Sequence, residues 1–404
     1  MLEADGFEKR DFDEAADVYV INTCSVTDNA DKECRQLVRR IQRRAPDAMV
    51  VITGCYAQLK PQEIASIEGV DLVLGAAEKF NIVAHLRDIA EGPADRNGAK
   101  ICSCDIEDVA GFHSSFSVSD RTRTFLKVQD GCDYNCSFCT IPLARGHSRS
   151  DSIAGVLANI AELAASGVKE VVLTGINLGD FGKGADGGKT RDSSFLELIQ
   201  AIDSEAAEGV ERFRISSIEP NLLSDEVISF VASSRRFMPH FHIPLQSGSN
   251  TILGQMRRRY KRELYAERVA RIKELMPHCC IGADVIVGFP GEGELEFRET
   301  FDFLHGIDVS YLHVFTYSER TNTLAAEMKP VVPVHLRNER NKTLRNLSYQ
   351  KLQYFTEQQR GASRKVLFEY ADKNGMMEGY TDNYIRIQVP YQDRLVNSIV
   401  EWTV

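Results

Sequence analysis

The sequence lacks any run of about 18 consecutive apolar residues, which argues against a helical membrane span. It also lacks the charged start and apolar stretch of a secretory signal peptide. Positive charge is in deficit, since 48 Lys and Arg stand against 58 Asp and Glu, and the net charge of -10 argues against non-specific nucleic-acid binding over the whole surface. We therefore expect a cytoplasmic protein without a membrane partner, in which any RNA contact is local.

Ten cysteines stand out against this background. In a cytoplasmic protein they are expected to be metal ligands, catalytic groups or buried thiols rather than disulfides. The length of 404 residues, 43% of them hydrophobic, allows two or three domains with separate cores.

Strands and helices alternate along the first hundred residues. Apolar runs at Asp17–Cys24, Ala48–Cys55 and Val70–Gly75 predict buried strands, and Asp31–Arg44 predicts a basic amphipathic helix. This order is typical of a parallel sheet flanked by helices, which we assign to residues 1–92. Two of the strands end in a cysteine, at the edge where open α/β sheets bind ligands.

A second alternation follows a polar segment, 93–120, that we interpret as a linker. Its strand candidates are Phe125–Gln129, Glu170–Gly175, Arg212–Ser216, His240–Pro244, Gly282–Gly288 and Ser310–Thr316. At least six βα units predict a barrel, complete or partial, over residues 121–355, with active-site residues at the C-terminal strand ends. Short β-rich runs joined by Asp, Asn and Gly predict a small antiparallel barrel at 361–404. The predicted fold class is therefore α/β.

Three cysteines, Cys132, Cys136 and Cys139, lie in a loop directly after a predicted strand. Thiolates suit iron–sulfur clusters and zinc. A structural zinc site takes four ligands, whereas no fourth cysteine lies nearby and His147 is eight residues past Cys139. Three ligands on a four-iron cluster leave one iron open, which can chelate the amino and carboxylate groups of S-adenosylmethionine. A zinc site or three buried thiols is the alternative.

The chemistry of such a site would come from its cofactor. One electron from the cluster breaks the sulfonium C–S bond and produces a 5′-deoxyadenosyl radical, which abstracts hydrogen from an unactivated carbon. In this respect the chain resembles the radical S-adenosylmethionine superfamily, whose CxxxCxxC motif it matches. That resemblance places Phe138 against the adenine, although a core aromatic residue is the alternative.

Polar and glycine-rich groups follow several of the predicted barrel strands. The candidate cofactor-binding residues among them are Thr174, Gly175, Asn177, Ser216, Ser217, Glu219, His242 and Gln246. The resemblance places the first strand end against the methionine amino group, while Ser216, Ser217 and Glu219 are candidates to reach ribose hydroxyls. Turn chemistry explains glycine and proline at strand ends equally well, and His242 has the alternative of a hydrogen-bonded core histidine.

Almost the whole chain is similar to the methylthiotransferase family. The segments that carry this resemblance, in order, are INTCSVT, TGCYAQ, GCDYNCSFC, RISSIEP, HIPLQSGS and DVIVGFPGE. The family combines an α/β cluster domain, a radical barrel and a C-terminal TRAM β-barrel, in agreement with the division above. It implies S-adenosylmethionine and a [4Fe-4S] cluster on the CxxxCxxC cysteines.

The same resemblance implies a second [4Fe-4S] cluster in the N-terminal domain, for which Cys24 and Cys55 match two of three ligands. The third should lie in a Gly-Cys segment after an earlier strand, and the sequence begins at Met1 without it. We therefore expect incomplete binding of the second cluster, and we expect upstream residues to raise the iron content from about four to about eight per chain. The second cluster would carry the sulfur that methylthiolation needs.

Basic clusters favour RNA as the substrate in an otherwise acidic protein. They comprise Lys32, Arg35, Arg39, Arg40, Arg43 and Arg44 in the first helix, and Arg257, Arg258, Arg259, Lys261 and Arg262 further on. Tyr380, Tyr384, Arg386 and Tyr391 interleave aromatic and basic residues in a pattern typical of RNA stacking and phosphate contact. Solvated helix faces and ordinary strand propensity are the alternatives.

The resemblance is strongest to the MtaB-type branch, on the segments INTCSVT, TGCYAQ, RTRTFLKVQDGC and HVFTYSERTNT. It implies methylthiolation at C2 of N6-threonylcarbamoyladenosine, at position 37 of tRNA. The alternatives are the isopentenyladenosine branch and then the branch that modifies a ribosomal protein aspartate. A non-catalytic RNA-binding protein with a structural metal is the alternative of another class. An electron donor such as flavodoxin or ferredoxin is expected, whereas the sulfur donor is not indicated.

Overall fold

The computed structural model describes residues 2–24, 28–91, 98–109, 111–117, 122–184, 190–371 and 375–404. These ranges contain parallel and antiparallel sheets together with helices, which confirms the predicted α/β class. Among the helices of these ranges, none combines the length and the apolar character that crossing a membrane requires.

The strands in chain order are β1 (Val18–Thr23), β2 (Met49–Gly54), β3 (Leu72–Leu74), β4 (Lys100–Cys102), β5 (Ser115–Phe116), β6 (Arg123–Lys127), β7 (Gln129–Asp130), β8 (Arg149–Ser150), β9 (Glu170–Thr174), β10 (Arg212–Ile215), β11 (His240–His242), β12 (Cys280–Val287), β13 (Tyr311–Thr316), β14 (Ser363–Ala371), β15 (Met376–Thr381), β16 (Arg386–Pro390) and β17 (Ile399–Thr403). The α-helices are α1 (Asp28–Arg44), α2 (Cys55–Leu59), α3 (Pro61–Ala65), α4 (Ile82–Glu91), α5 (Ile141–Arg145), α6 (Ile153–Ala165), α7 (Phe195–Glu205), α8 (Asp225–Ser233), α9 (Asn250–Gln255), α10 (Arg262–Leu275), α11 (Glu294–Gly306), α12 (Leu324–Glu327) and α13 (Val334–Gln358).

The chain forms two compact units. We call the first the N-terminal unit and the second the barrel unit. The N-terminal unit comprises Met1–Ala110, Gly131–His147 and Ser318–Ala326. The barrel unit comprises Gly111–Asp130, Ser148–Tyr317 and Glu327–Val404. The loop with the three clustered cysteines thus belongs with the N-terminal sheet, although a barrel strand directly precedes it in the sequence.

Four parallel strands, in the order β1-β2-β3-β4, form the sheet of the N-terminal unit. The first three are the predicted ones. The fourth, β4, lies within residues 93–120, which we had assigned to a linker, and it pairs in register with β3. Side chains alternate between the faces of a strand, so Val50 and Ile52 join one core cluster and Met49 and Val51 join another. Because both faces of β2 are covered, its sequence is a continuous apolar run.

Six parallel strands of the barrel unit correspond to the six predicted ones. The paired sets are β10-β9-β6-β5 and β11-β12-β13, where only β5 is antiparallel to its neighbour. A parallel bridge between Phe213 and Phe237 lies beside β10 where the second set begins. The row of parallel strands therefore runs β6-β9-β10-β11-β12-β13, and its two ends do not pair among the described residues. This is a partial barrel.

A 25-residue helix, α13, leads to a four-stranded antiparallel sheet in the order β16-β15-β14-β17. This helix is continuous over its whole length. Arginines at the start of the barrel strands bind the backbone of the C-terminal sheet. The Arg214 guanidinium donates to the carbonyl oxygens of Thr381 and Asp382 at 2.8 and 2.9 Å. Arg212 donates to the carbonyl of Lys365 at 2.7 Å.

Tyrosines of the C-terminal sheet complete this packing. The Tyr384 ring stacks on His240 with a centroid distance of 4.3 Å and on Tyr380 at 5.1 Å. The Arg123 guanidinium lies 4.2 Å from the centre of the Tyr380 ring. The two tyrosines that we predict to stack on RNA therefore pack against the barrel strands. Burial in this packing lowers the pKa of His240 well below its usual value. Both tyrosines thus make structural contacts with the barrel strands, and their contact with RNA stays a prediction.

Arg214 is the main tie between the barrel and the C-terminal sheet, because its side chain is 1% exposed and also donates to Glu170 at 2.8 Å. We expect Arg214→Ala to lower the free energy of unfolding by about 3–5 kcal/mol, because the buried Glu170 loses its closest partner. The single tryptophan, Trp402, lies in β17, so urea unfolding followed by its fluorescence reports this sheet. Arg271→Ala breaks a surface pair with Glu274 and should cost only about 0–1 kcal/mol. Equal losses of unfolding free energy in Arg214→Ala and Arg271→Ala would contradict the role of Arg214 as the main tie between the barrel and the C-terminal sheet.

Candidate functional site

The cysteine loop begins at Gly131, whose φ of +72° suits glycine. A side chain there would also place its Cβ 1.9 Å from the carbonyl oxygen of His147. The loop closes on itself, since the Cys132 amide donates to the Gly146 carbonyl at 3.0 Å. The Cys139 amide donates to the Cys136 carbonyl at 3.1 Å. This local geometry brings the three cysteines to one compact loop that α5 follows.

The sulfur atoms of the loop accept hydrogen bonds from the backbone. The Tyr134 amide lies 3.4 Å from the Cys132 sulfur, and the Ile141 amide lies 3.4 Å from the Cys139 sulfur. Amide donors aimed at sulfur stabilise thiolates, and such bonds tune iron–sulfur clusters. All three cysteines are half-buried, and none forms a disulfide within the described residues. The loop thus fits a thiolate-ligated cluster.

Two contacts anchor the loop within the N-terminal unit. The His147 ring nitrogen Nδ1 lies 3.0 Å from Oδ1 of Asp133, the residue after the first cysteine. The Ser137 carbonyl accepts from the Ala325 amide at 2.8 Å. His147 thus orients the loop through Asp133. His147 is not among the residues that we expect to ligate the cluster.

Cys24 and Cys55 directly follow Thr23 and Gly54, which are partners in the parallel register of β1 and β2. Both cysteines therefore lie at the C-terminal edge of the sheet, as the sequence predicted. Cys24 is exposed and Cys55 is half-buried. The helix α2 begins at Cys55 and packs against α5, the helix that follows the cysteine loop. Within the N-terminal unit, the helix that begins at Cys55 therefore contacts the helix that follows the loop of Cys132, Cys136 and Cys139.

The other cysteines are arranged differently. Cys34, Cys279 and Cys280 are buried among apolar side chains, and burial raises the pKa of the Cys280 thiol to about 12. Cys102 ends β4, and Cys104 follows it. Burial raises the pKa of both of these thiols above the usual value. Cys34, Cys279 and Cys280 are thus core thiols, whereas Cys102 is half-buried and Cys104 is exposed.

In the barrel unit, Gln129 connects two strand ends, a role that the sequence analysis missed. Its Oε1 accepts from the backbone amides of Ile176 and Asn177 at 2.8 and 2.9 Å. Its Nε2 donates to the Ser148 hydroxyl at 2.9 Å. A Cβ at Gly175 would lie 2.8 Å from Gln129 Oε1, which explains the glycine after Thr174. The residue lies three positions before Cys132, but a lone glutamine carries no sequence signal.

Two of the predicted ligand residues make internal contacts instead. Asn177 is 2% exposed and donates to Asp180 at 3.1 Å, while its Oδ1 accepts from the Glu219 amide at 3.4 Å. Glu219 forms an ion pair with Arg258. Burial raises the pKa of Glu219, although Arg258 opposes this shift. Asn177 and Glu219 therefore position the ends of β9 and β10, whereas Ser216 and Ser217 are half-buried.

His242 and Gln246 lie beside Asp284. The His242 Nε2 atom is 2.9 Å from Asp284 Oδ1, and the Gln246 amide donates to the Asp284 carbonyl at 2.8 Å. Gln246 has a φ of 67°, a left-handed conformation that is costly outside glycine and is typical of functional sites. The third residue around Asp284 is His313, whose Nδ1 lies 3.3 Å from the same Oδ1.

The sequence analysis missed Asp284 and His313. Together with His242 they offer ligand atoms that all lie within 4.8 Å of one another. Burial favours a higher pKa for Asp284, but the hydrogen bonds from His242 and His313 outweigh it and lower the pKa to about 2. The carboxylate is therefore ionised at neutral pH. The available signal was the segment DVIVGF, where a single acid interrupts an apolar strand.

The basic clusters divide into structural and exposed members. In α1, Arg35 pairs with Glu63, and Arg40 and Arg44 pair with Asp13. Lys32, Arg39 and Arg43 are exposed on the same helix.

The second cluster divides in the same way. Arg258 pairs with Glu219, and Arg262 donates to the Gly248 carbonyl at 3.1 Å. Arg257, Arg259 and Lys261 are exposed. In the C-terminal sheet, Tyr391 is exposed and Arg386 pairs with Glu378. The surface available for phosphates is thus smaller than the sequence suggests.

Two family models match the chain. The Radical SAM superfamily matches residues 126–304, and the Uncharacterized protein family UPF0004 matches residues 1–75. A relative from Bacillus subtilis, "Threonylcarbamoyladenosine tRNA methylthiotransferase MtaB", is 41% identical over 98% of this chain and 87% of its own. A relative from Syntrophomonas wolfei, "tRNA-2-methylthio-N(6)-dimethylallyladenosine synthase", is 32% identical over 92% of this chain and 82% of its own.

Among solved structures, the radical S-adenosylmethionine methyltransferase TsrM from Kitasatospora setae has a similar fold. The TM-score is 0.56 with 15% identity, over 75% of this chain and 62% of that one. At this identity the likeness concerns the fold alone, and it agrees with the partial barrel described above.

Gln129→Ala should destabilise the barrel unit, because the amides of Ile176 and Asn177 lose their acceptor. Each unsatisfied buried donor costs about 1–3 kcal/mol. We expect Gln129→Ala to have a lower thermal midpoint than the wild-type protein. The midpoint of Gln129→Glu, which keeps an acceptor oxygen, should lie between these two values. Gln200→Ala, an exposed glutamine on α7, is the control and should leave the midpoint unchanged. A midpoint unaltered by Gln129→Ala would disprove the bridging role.

Proposed function

We propose, for a chain that belongs to the radical S-adenosylmethionine tRNA methylthiotransferase family, that it adds a methylthio group to C2 of N6-threonylcarbamoyladenosine at position 37 of tRNA. The observation that carries this proposal is the 41% identity to the Bacillus subtilis enzyme over 98% of the chain. The intact cysteine loop and the partial barrel support it, because they supply the ligands and the scaffold that the chemistry requires.

Cys132, Cys136 and Cys139 would hold a [4Fe-4S] cluster, and the bound cluster supplies the electron that cleaves S-adenosylmethionine. The protein's own part is to orient that cluster. Backbone amides donate to two of the sulfurs, and the contact between His147 and Asp133 holds the loop in place. A fixed loop would hold the cluster in one orientation, which radical chemistry needs for selectivity.

For S-adenosylmethionine we propose two groups of residues. Phe138 would lie against the adenine, while Thr174, Gly175, Ser216, Ser217, His242 and Gln246 would contact the cofactor from the strand ends. Asn177 and Glu219 act as positioning residues, because both are buried and engaged within the protein. Gln129 supports the same strand ends through the amides that follow Gly175.

Cys24 and Cys55 would supply two ligands of a second [4Fe-4S] cluster, which would carry the sulfur. Their paired position at one sheet edge supports this, as does the packing of α2 on α5. Cys34, Cys102 and Cys104 are not proposed as ligands.

The substrate partner is tRNA. Its phosphates would contact exposed basic side chains such as Arg39 and Arg43 of α1 and Arg257 of the second cluster. A reduced flavodoxin or ferredoxin would donate the electron. Dimethylallyladenosine-37 is the second candidate substrate, because the Syntrophomonas wolfei relative that is named for it is 32% identical.

The catalytic prediction uses a pair of cysteine variants. After anaerobic reconstitution and reduction, the protein should be brown and should release 5′-deoxyadenosine from S-adenosylmethionine. Cys136→Ala should abolish that release, because the cluster loses a ligand. Cys279→Ala changes a buried core thiol and should retain activity. Colourless or zinc-loaded wild-type protein without cleavage would instead indicate a non-catalytic RNA-binding protein.

The substrate prediction concerns tRNA from cells that lack this gene. We expect 2-methylthio-N6-threonylcarbamoyladenosine to disappear and to return with the wild-type gene but not with Cys136→Ala. Persistence of this nucleoside, with no second enzyme for the same step, would contradict the assignment. Loss of the dimethylallyl product instead would favour the second candidate.

The second cluster is tested by iron analysis. A chain that holds both clusters should bind about eight iron atoms, and one that holds only the first cluster about four. Replacing Cys24 and Cys55 by alanine should lower a value of about eight to about four. A value that stays near eight in this double variant would rule out Cys24 and Cys55 as ligands.

A further inference from the structure

The inner face of the partial barrel carries a polar cluster of His242, Asp284 and His313. On β12 the residues Ile281, Ala283, Val285 and Val287 join the apolar core. Because side chains alternate along a strand, Asp284 points to the opposite face. The same parity holds on β13, where Leu312 belongs to the core and its neighbour His313 faces away from it. Asp284 and His313 are also direct partners in the parallel register.

The side chains of the cluster are partly exposed to solvent and do not belong to the packed core. Side-chain exposure rises from 14% for His242 to 25% for Asp284 and 54% for His313. The layer below is closed, since His240 is buried and its ring contacts the Tyr311 hydroxyl at 3.1 Å. Above it, the amide of Gln246 binds the Asp284 carbonyl at the strand end. The cluster is thus a partly exposed polar layer on the inner face of the barrel strands.

The hydrogen bonds within the cluster leave two side-chain atoms available to a ligand. Both imidazoles contact the same carboxylate oxygen, Oδ1, at 2.9 and 3.3 Å. Asp284 Oδ2 and His313 Nε2 have no hydrogen-bond partner within the described part of the chain. Asp284 Oδ2 therefore offers an acceptor, and Nε2 of His313 offers a donor in the imidazolium form, whose Nδ1–H faces Asp284.

We propose that His242, Asp284 and His313 form the subsite for the N6-substituent of the substrate adenosine and select a polar substituent. This inference rests on the proposed function. A threonylcarbamoyl group carries urea N–H groups, a hydroxyl and a carboxylate. Asp284 accepts from an N–H or the hydroxyl, and His313 in its imidazolium form donates Nε2–H to the carboxylate. His242, which we also propose as a cofactor contact, fixes the position of Asp284 through its Nε2 atom.

A dimethylallyl group offers none of these partners. Placing it on the cluster would remove water from Asp284 and His313 without replacing the lost hydrogen bonds, which is unfavourable. Sites built to bind polar groups reject analogues that lack them more strongly than apolar pockets reject an added group. The cluster therefore provides a physical basis for the choice between the two candidate substrates.

The experiment measures binding of anticodon stem-loop RNAs to the reconstituted protein by fluorescence anisotropy. The RNAs carry threonylcarbamoyladenosine, dimethylallyladenosine or unmodified adenosine at position 37. We expect the wild-type protein to prefer the first RNA. His313→Phe should weaken that binding by about tenfold to a hundredfold, the value of one or two hydrogen bonds to a charged group, and should affect the other RNAs much less. Asp284→Asn should also reduce the preference.

His335→Phe is the matched control, since this histidine is exposed on α13 and should leave the preference unchanged. His313→Gln, which restores a hydrogen-bond donor, should recover part of the preference for the RNA with threonylcarbamoyladenosine. Equal weakening for all three RNAs would overturn the inference, because a structural role has that effect. Stoichiometric Zn²⁺ binding that His313→Phe abolishes would overturn it in favour of a metal site. Absence of a methylthiolated product from wild-type protein, with the binding preference intact, would contradict the proposed function and not the subsite.

Discussion

Parallel pairing of the strands is the constraint on which both units depend, because it brings the C-terminal ends of separate chain segments to one edge. In the N-terminal unit the pairing of Thr23 with Gly54 places Cys24 and Cys55 at the same edge of the sheet. In the barrel unit the register of β12 and β13 sets Asp284 against His313. A shift of one residue in either register would turn these side chains to the other face.

The barrel unit uses its polar residues differently at its two ends. At the strand starts, Arg212 and Arg214 satisfy backbone carbonyls of the C-terminal sheet, and Tyr380 and Tyr384 pack against them. The two arginines are buried and the two tyrosines are half-buried. At the strand ends, half-buried polar groups such as Ser216 and Ser217 retain exposure. The residues proposed to bind ligands therefore lie at one end, and the C-terminal sheet packs on the other.

The cysteine loop is built for rigidity. Its glycine, its backbone bonds to sulfur and the anchoring of Asp133 and Ser137 are all contacts within the N-terminal unit. The packing of α2 on α5 joins the segment after Cys55 to the segment after Cys139. In a two-cluster enzyme this arrangement would fix the sulfur carrier relative to the radical source.

The sequence by itself determined the strands, the fold class and the ligand-bearing loop, because hydrophobic periodicity and the spacing of three cysteines are local signals. It did not show the packing of Tyr380 and Tyr384 on the barrel strands, and it missed β4, Gln129, Asp284 and His313. Each of these depends on a partner distant in the chain, as Gln129 depends on Asn177, 48 positions away. Only the tertiary structure decided which polar side chains are internal supports and which remain partly exposed, because strand register and packing bring those partners together.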